Sequence, residues 1–115
     1  MNNEPVTLVE LPEFQKRAAV LLNENQLNEL KIFLAFNPEE GNLILGTGGI
    51  RKLRWAVRDQ GKRGGARVIY YYQDVRYPIL LLTLFAKNTK TDLTQAQRNE
   101  LRGFVEAIKR TRSKS

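Results

Sequence analysis

Cysteine and histidine are both absent from the 115 residues. Without cysteine the chain can form neither a disulfide nor a thiolate metal site, and the reducing cytoplasm is the compartment that fits best. Histidine is the commonest general base and a usual ligand of transition metals, so we expect no metal and no cofactor. Any acid–base chemistry would have to use Lys, Arg, Tyr, Asp or Glu.

Long apolar runs are missing as well. The longest, residues 79–86, is interrupted by Thr83 and is too short to span a bilayer. The opening residues, Met-Asn-Asn-Glu-Pro, lack the basic and apolar segments of a secretory signal. We therefore expect a soluble protein without a membrane partner, folded as one domain over residues 1–115, with a modest core.

Positive charge is what the chain has in excess. It is net +7 with a pI near 10.0, and the stretch from Ile50 to Arg67 alone holds seven cations and one anion. These cations are Arg51, Lys52, Arg54, Arg58, Lys62, Arg63 and Arg67, and the anion is Asp59. A local cluster of this kind indicates a polyanionic partner, with nucleic acid ahead of an anionic membrane surface. Composition alone leaves open a merely solvated surface.

The hydrophobic pattern predicts an α+β domain: a small antiparallel sheet of about four strands, two N-terminal helices and one C-terminal helix. Asn23 with Gln26, and Thr94 with Gln97, have the spacing of capping boxes at two helix starts. The predicted strands are 6–10, 50–57, 67–72 and 79–86, and the predicted helices cover about 12–22, 24–36 and 94–110. Leu93, Leu101, Phe104 and Ile108 are expected to form the buried face of the last helix.

Strand alternation divides the cationic stretch between two sides of the sheet. Arg51, Leu53, Trp55 and Val57 share one side, which we expect the helices to cover, and Lys52 and Arg54 share the other. A hairpin through residues 58–65 would bring Arg67 close to these two. The sequence thus predicts a cationic sheet face that is left partly open.

Aromatic and glycine residues around this stretch are expected to be structural. Trp55 and the tyrosines at 70, 71 and 72 are predicted to pack in or beside the core. The glycines at 46, 48 and 49 lack the lysine, Ser/Thr and following helix of a phosphate loop, so we expect them to permit close backbone passage into the next strand. Leu43–Leu45 is predicted to anchor the preceding connection.

Three segments together carry a family resemblance. They are Gly-Thr-Gly-Gly-Ile-Arg-Lys-Leu-Arg-Trp-Ala (46–56), Gly-Lys-Arg-Gly-Gly-Ala-Arg-Val-Ile-Tyr-Tyr (61–71) and Leu-Leu-Thr-Leu-Phe-Ala-Lys-Asn (81–88). In order and spacing, over nearly the whole chain, they resemble the HigB-like branch of the RelE/ParE toxin superfamily. The resemblance implies a RelE-like fold.

The resemblance also implies an activity and partners. It implies a toxin of a type II toxin–antitoxin system that cleaves mRNA in the ribosomal A site, by attack of a ribose 2′-hydroxyl on the adjacent phosphate. The implied partners are a cognate antitoxin, the ribosome and mRNA, with operator DNA bound only through the antitoxin complex.

By the same resemblance, Lys52, Arg54, Arg67 and Lys87 would be catalytic. Arginine forks suit the charge that develops on phosphorus oxygens, Lys52 could act as base, and Lys87 could neutralise or protonate the leaving 5′-oxygen. The implied RNA- or ribosome-binding residues are Arg51, Arg58, Lys62, Arg63, Asn88 and Lys90. A tyrosine that relatives carry near the C-terminal helix is replaced by Asp-Leu-Thr-Gln at 92–95, which leaves the general base open.

Two other functions stay open. A ParE-type poison of DNA gyrase would share the fold without hydrolysing RNA, and a nonenzymatic RNA-binding protein would bind stoichiometrically. The cations predicted on one sheet face favour RNA cleavage, because a gyrase poison needs no constellation for phosphoryl transfer.

Overall fold

A computed structural model describes residues 4–56, 65–87 and 92–113. The strands are β1 (Leu8–Glu10), β2 (Asn42–Leu43), β3 (Ile50–Trp55), β4 (Ala66–Tyr71) and β5 (Ile79–Ala86). The helices are α1 (Pro12–Leu21), α2 (Glu24–Phe36) and α3 (Gln95–Ser113). The α+β class is as predicted. No helix in these ranges combines the length and the apolarity needed to cross a membrane.

The sheet has five strands in the order β1-β5-β4-β3-β2. β3, β4 and β5 form the predicted antiparallel meander, but β1 pairs in parallel with β5, so the sheet is mixed. The prediction of about four antiparallel strands was wrong on both counts. Two residues in β2 give no readable alternation, and alternation does not encode the direction in which β1 pairs.

Helix starts follow the sequence closely. Asn23 accepts from the Gln26 N–H at 2.8 Å while the Gln26 side chain accepts from the Asn23 N–H at 2.9 Å, so the capping box at α2 is confirmed. Thr94 and Gln97 make the same exchange at α3, at 2.9 and 3.1 Å. Each exchange satisfies two backbone donors that the first turn of a helix leaves without partners. Local side-chain chemistry therefore fixes where both helices begin.

Helices cover both faces of the sheet. α1 and α2 pack on one face through a buried cluster that includes Phe14, Leu30 and Leu34 from the helices and Val68 and Tyr70 from the sheet. α3 packs on the other face through a second cluster of Ile44, Ile50, Ile69, Tyr71, Leu82, Phe85, Leu93 and Val105. The expectation that all helices cover one face was therefore wrong.

A bulge in β5 changes which of its side chains face each of the two clusters. The register with β4 shifts between Ile69 and Tyr70, which pair with Thr83 and Leu81, so Leu82 is an extra residue. The bulge lets Leu81 and Leu84 join the same cluster although three positions separate them, while Leu82 joins the cluster under α3.

The connection before β3 differs from its expected form. Leu43 and Leu45 are exposed, Leu45 at 86%, and only Ile44 of this segment is buried. Leu43–Leu45 therefore does not form the predicted apolar anchor. The turn at 46–49 is closed instead by Thr47, whose hydroxyl donates to Ile44 O at 2.7 Å and accepts from Ile50 N–H at 3.1 Å. Gly48 has a φ of 81°, a conformation that glycine adopts readily, as the predicted structural role requires.

Candidate functional site

Three of the cations predicted to act together lie on one face of the meander. Arg54 of β3 pairs directly with Arg67 of β4, and Lys52 lies two residues before Arg54. Opposed Cβ atoms in an antiparallel pair are about 5 Å apart, and residues two apart in a strand are separated by about 7 Å. Lys52, Arg54 and Arg67 therefore form a compact group, which we call the cation row.

The three members of the cation row differ in exposure. Arg54 is exposed, and among the described residues its guanidinium forms no hydrogen bond or ion pair. The Lys52 side chain is 26% exposed, whereas Arg67 is only 7% exposed and its Nη1 lies 3.4 Å from Ala66 O. Arg54 is thus the member that an anion from solvent reaches first, and Arg67 stands beside it with less screening by water.

Lys87 lies at the end of the sheet where Arg54 and Arg67 are paired. It follows β5 directly, is exposed, and donates its backbone N–H to Gly65 O at 3.1 Å. That bond joins it to the residue that precedes β4, one position beyond the pairing of Ala66 with Ala86. Lys87 is therefore close to the Arg54 and Arg67 end of the cation row.

The carboxylate of Asp92 contacts Lys52, which lies at the other end of the cation row. Asp92 lies 3.3 Å from Lys52 Nζ through Oδ1 and 2.9 Å from Arg98 Nη2 through Oδ2, and it accepts from the Leu93 N–H at 2.8 Å. The Leu93 N–H, followed by the Lys52 ammonium, holds the pKa of Asp92 below its ordinary value. Asp92 therefore stays ionised at neutral pH and bridges β3 to α3.

Sequence reasoning assigned no role to Asp92 or Arg98. Asp92 precedes the capping box of α3, and an acidic residue near a helix start is usually explained by the helix dipole. Its contact with Lys52 joins residues 40 positions apart, which spacing along the chain cannot reveal.

Arg51 lies on the opposite face of the sheet from the cation row. Its Nη1 donates to Glu39 O at 3.0 Å and to Gly41 O at 2.7 Å. The guanidinium thereby satisfies carbonyl groups in the connection between α2 and β2, a structural task. We leave Arg51 out of the nucleic-acid surface for which the sequence proposed it.

The buried tyrosines have the packing role that was predicted. Tyr70 and Tyr71 lie in the core, and burial raises the pKa of both hydroxyls. The Tyr70 hydroxyl donates to Pro38 O at 2.9 Å and accepts from the Gly41 N–H at 2.8 Å. The Tyr70 phenol is therefore occupied in holding the connection after α2, whereas Tyr71 packs in the cluster under α3.

Trp55 is confirmed as a packing residue. It lies on the α1 and α2 side, with its ring centroid 5.5 Å from that of Phe33. A tilted pair at this distance is a favourable aromatic contact. Trp55 therefore does not face the cation row.

Several predicted binding residues lie outside the described ranges. They are Arg58, Lys62, Arg63, Asn88 and Lys90. The described residues thus place Lys52, Arg54, Arg67 and Lys87 of the predicted set near one another, and place Arg51 elsewhere.

An apolar groove of about 500 Å³ lies between α1, β5 and α3. Its lining includes Leu82, Phe85 and Leu101 and none of the cation row. Because a ribose–phosphate requires cationic partners, the cation row is the better place for one.

No model of a known protein family matches the chain. Within the described ranges, no three acidic side chains come close enough to form a cluster that could hold a metal ion. What the site offers chemically is fixed positive charge: guanidinium and ammonium groups on a rigid sheet, suited to binding a phosphate and to stabilising extra charge on it.

Proposed function

We propose that the protein is the toxin of a type II toxin–antitoxin system and cleaves mRNA in the ribosomal A site without a metal ion. The observation that carries the proposal is the cation row: Arg54 and Arg67 directly opposed on adjacent strands, with Lys52 on the same face. The RelE-like fold and the HigB-like relationship belong to the same proposal.

The proposed reaction is an internal transesterification. The ribose 2′-oxygen attacks the adjacent phosphorus and loses its proton to a base, and the bond from phosphorus to the 5′-oxygen breaks. The leaving oxygen gains a proton, so the products are a 2′,3′-cyclic phosphate and a 5′-hydroxyl. Negative charge on the phosphorus oxygens rises in the transition state, and fixed cations lower the barrier by binding that charge more strongly than the ground state.

Arg54 and Arg67 have different parts in this proposal. Arg54, exposed and without a partner in the described ranges, contacts a non-bridging oxygen. Arg67, nearly shielded from water, strengthens the positive potential at the same point, because charges act more strongly where solvent screening is weak. Two guanidinium groups across a strand pair repel each other, and an anion between them removes that repulsion.

Lys52 and Lys87 flank the scissile linkage at opposite sides of Arg54. Lys52 is held by Asp92 at 3.3 Å and is proposed to fix the attacking ribose. Lys87, exposed beyond the end of β5, is proposed to neutralise or protonate the leaving 5′-oxygen. The side chains at 58, 62, 63, 88 and 90 would extend the positive surface toward ribosomal RNA.

The proposed biology follows from the reaction. The toxin acts in the cytoplasm, where ribosomes and mRNA are found, and a cognate antitoxin inhibits it by covering the cation row. Since the chain is net +7, the inhibiting segment of the antitoxin is expected to be acidic.

The decisive experiment is primer extension on a translated message. Purified protein is added to ribosomes programmed with that mRNA, and to the same naked mRNA. The proposal expects cuts within codons only when ribosomes are present, unchanged by EDTA at a concentration that leaves ribosomes intact. Induction in cells should arrest growth, and co-expression of the neighbouring gene should relieve the arrest.

Other outcomes separate the competing functions. Growth arrest with intact mRNA, together with linear DNA in a gyrase supercoiling assay, would identify a ParE-type poison instead. Stoichiometric RNA binding with neither cleavage nor growth arrest would identify a nonenzymatic RNA-binding protein. Either result would overturn the proposed nuclease.

A further inference from the structure

The bridge from Lys52 through Asp92 to Arg98 joins three different parts of the fold. Lys52 belongs to β3, Asp92 precedes α3, and Arg98 is the fourth residue of α3, in its first turn. Asp92 Oδ1 contacts Lys52 Nζ at 3.3 Å and Oδ2 contacts Arg98 Nη2 at 2.9 Å. The carboxylate therefore uses a separate oxygen for each cation.

The two cationic side chains of the bridge are partly buried, and its carboxylate is more exposed, at 46%. The side chains of Lys52 and Arg98 are 26% and 27% exposed, and Arg98 Nε is shielded from solvent and has no hydrogen-bond partner among the described residues. Leaving a donor unpaired away from water costs free energy, and the bond from Arg98 to Asp92 offsets that cost. Among the described residues, Asp92 is thus the one anionic partner of Arg98.

The second oxygen contact limits how Asp92 can move. Leu93 N–H donates to Oδ1, the oxygen that also contacts Lys52, while Arg98 holds Oδ2. Contacts to both oxygens restrict the orientation of the carboxylate plane. Lys52, a flexible side chain with four rotatable methylenes, is consequently directed to one position beside Arg54.

We propose that Arg98 is a positioning residue, which acts through Asp92 to hold the Lys52 ammonium in the cation row. The inference rests on the proposed function for its catalytic consequence, but its structural statement concerns Lys52 alone. α3 would then contribute to catalysis from its first turn, although Arg98 itself contacts no reacting atom.

The test compares Arg98→Gln with Arg98→Lys and with a matched control, Arg102→Gln. Arg102 lies one turn further along α3 and is exposed. Reductive methylation followed by mass spectrometry measures the reactivity of the Lys52 amine, with exposed Lys16 as the internal reference. We expect Arg98→Gln to raise Lys52 labelling at least threefold, Arg98→Lys to restore most of the protection, and Arg102→Gln to change nothing.

Kinetics on programmed ribosomes supply the second readout. We expect Arg98→Gln to lower kcat about tenfold, equal to about 1.4 kcal/mol, with KM changed less than twofold, and Arg98→Lys to recover most of the rate. If Arg98→Gln does not fold, Asp92→Asn serves in its place, because its amide oxygen still accepts from Leu93 N–H while both ion pairs are weakened.

The two proposals fail in distinguishable ways. Unchanged labelling of Lys52 in folded Arg98→Gln, or in folded Asp92→Asn, overturns the positioning role whatever the enzyme does. Increased labelling with unchanged kcat also overturns it, since Lys52 would then be held without consequence for catalysis. A wild-type protein that never cleaves mRNA overturns the proposed function, and the labelling result still decides whether Arg98 holds Lys52.

Discussion

Arg54 and Arg67 occupy directly opposed positions on antiparallel neighbours β3 and β4. Like charges at such positions are destabilising in the absence of an anion. The difference in their exposure, one open to solvent and one 7% exposed, makes the pair asymmetric. We expect an asymmetric pair of this kind to bind an anion from the exposed side, where Arg54 lies.

Replacing Arg54 by Gln should separate activity from stability. We expect kcat for ribosome-dependent cleavage to fall by about 10²–10³, the usual loss when one donor to a developing oxyanion is removed. Because Arg54 is exposed, the free energy of unfolding should change by less than about 0.5 kcal/mol. Single-turnover cleavage and urea denaturation measure the two effects, with Arg102→Gln as control. Cleavage at the wild-type rate by Arg54→Gln would exclude Arg54 from the reaction.

Tyr70→Phe should lower the stability of the protein and leave its activity nearly unchanged. Removing the hydroxyl leaves the Gly41 N–H and Pro38 O without their partner in a buried place, so we expect a loss of about 1–3 kcal/mol in the free energy of unfolding. The rate of cleavage by the folded enzyme should stay within twofold. Tyr72→Phe is the control, since its hydroxyl makes no hydrogen bond with the described residues. Equal urea midpoints for both variants would contradict this account of Tyr70.

The buried tyrosines predict an alkaline limit to stability. Burial raises the pKa of Tyr70 and Tyr71, so the folded state holds these protons more tightly than the unfolded chain. Their contribution is complete below the unfolded pKa of about 10 and is lost as pH rises through the folded pKa. Urea midpoints measured from pH 8 to pH 11 should fall above about pH 10, less steeply in Tyr70→Phe. A variant that follows the wild-type curve throughout would show that Tyr70 does not contribute.

Replacing two glycines by alanine should change the stability of the protein in opposite directions. A Cβ at Gly65, where φ is +63°, would lie 2.2 Å from Trp55 O, so Gly65→Ala should cost about 3 kcal/mol. A Cβ at Gly103, inside α3, meets nothing within 4 Å, so Gly103→Ala should add about 0.5–1 kcal/mol. Thermal denaturation of the two variants beside wild type measures both. A stabilised Gly65→Ala would show that the turn into β4 differs from the one described.

Much of the fold could be read from local patterns. β5 has the bounds that its apolar run predicts, Ile79–Ala86, and both capping boxes form where Ser/Thr/Asn and Gln are three apart. The alternation in β3 correctly separated Lys52 and Arg54 from Arg51 and Leu53. These features depend on neighbours within a few residues, which the sequence displays directly.

Features that depend on distant contacts could not be read in this way. The predicted buried face of α3 used Phe104, but Val105 is buried and Phe104 is 36% exposed, because α3 is rotated to cover Ile50 and Tyr71. The apolar periodicity of a helix locates the centre of its buried face to within about one residue. Packing against the rest of the protein then determines which side chains are buried. The contact of Lys52 with Asp92 depends in turn on where α3 lies.

The parallel pairing of β1 with β5 determines when the sheet can be completed during synthesis. Leu8 leaves the ribosome long before its partner Ile79 is made, because the two residues are far apart in the sequence. α1 and α2 can therefore form during synthesis, while the sheet is complete only after β5 is made, and its second face is covered only after α3 is made. A nascent chain stopped before residue 79 has neither a complete sheet nor Lys52 held by Asp92, so the cation row with its bridge from Lys52 to Arg98 is complete only after α3 has been made.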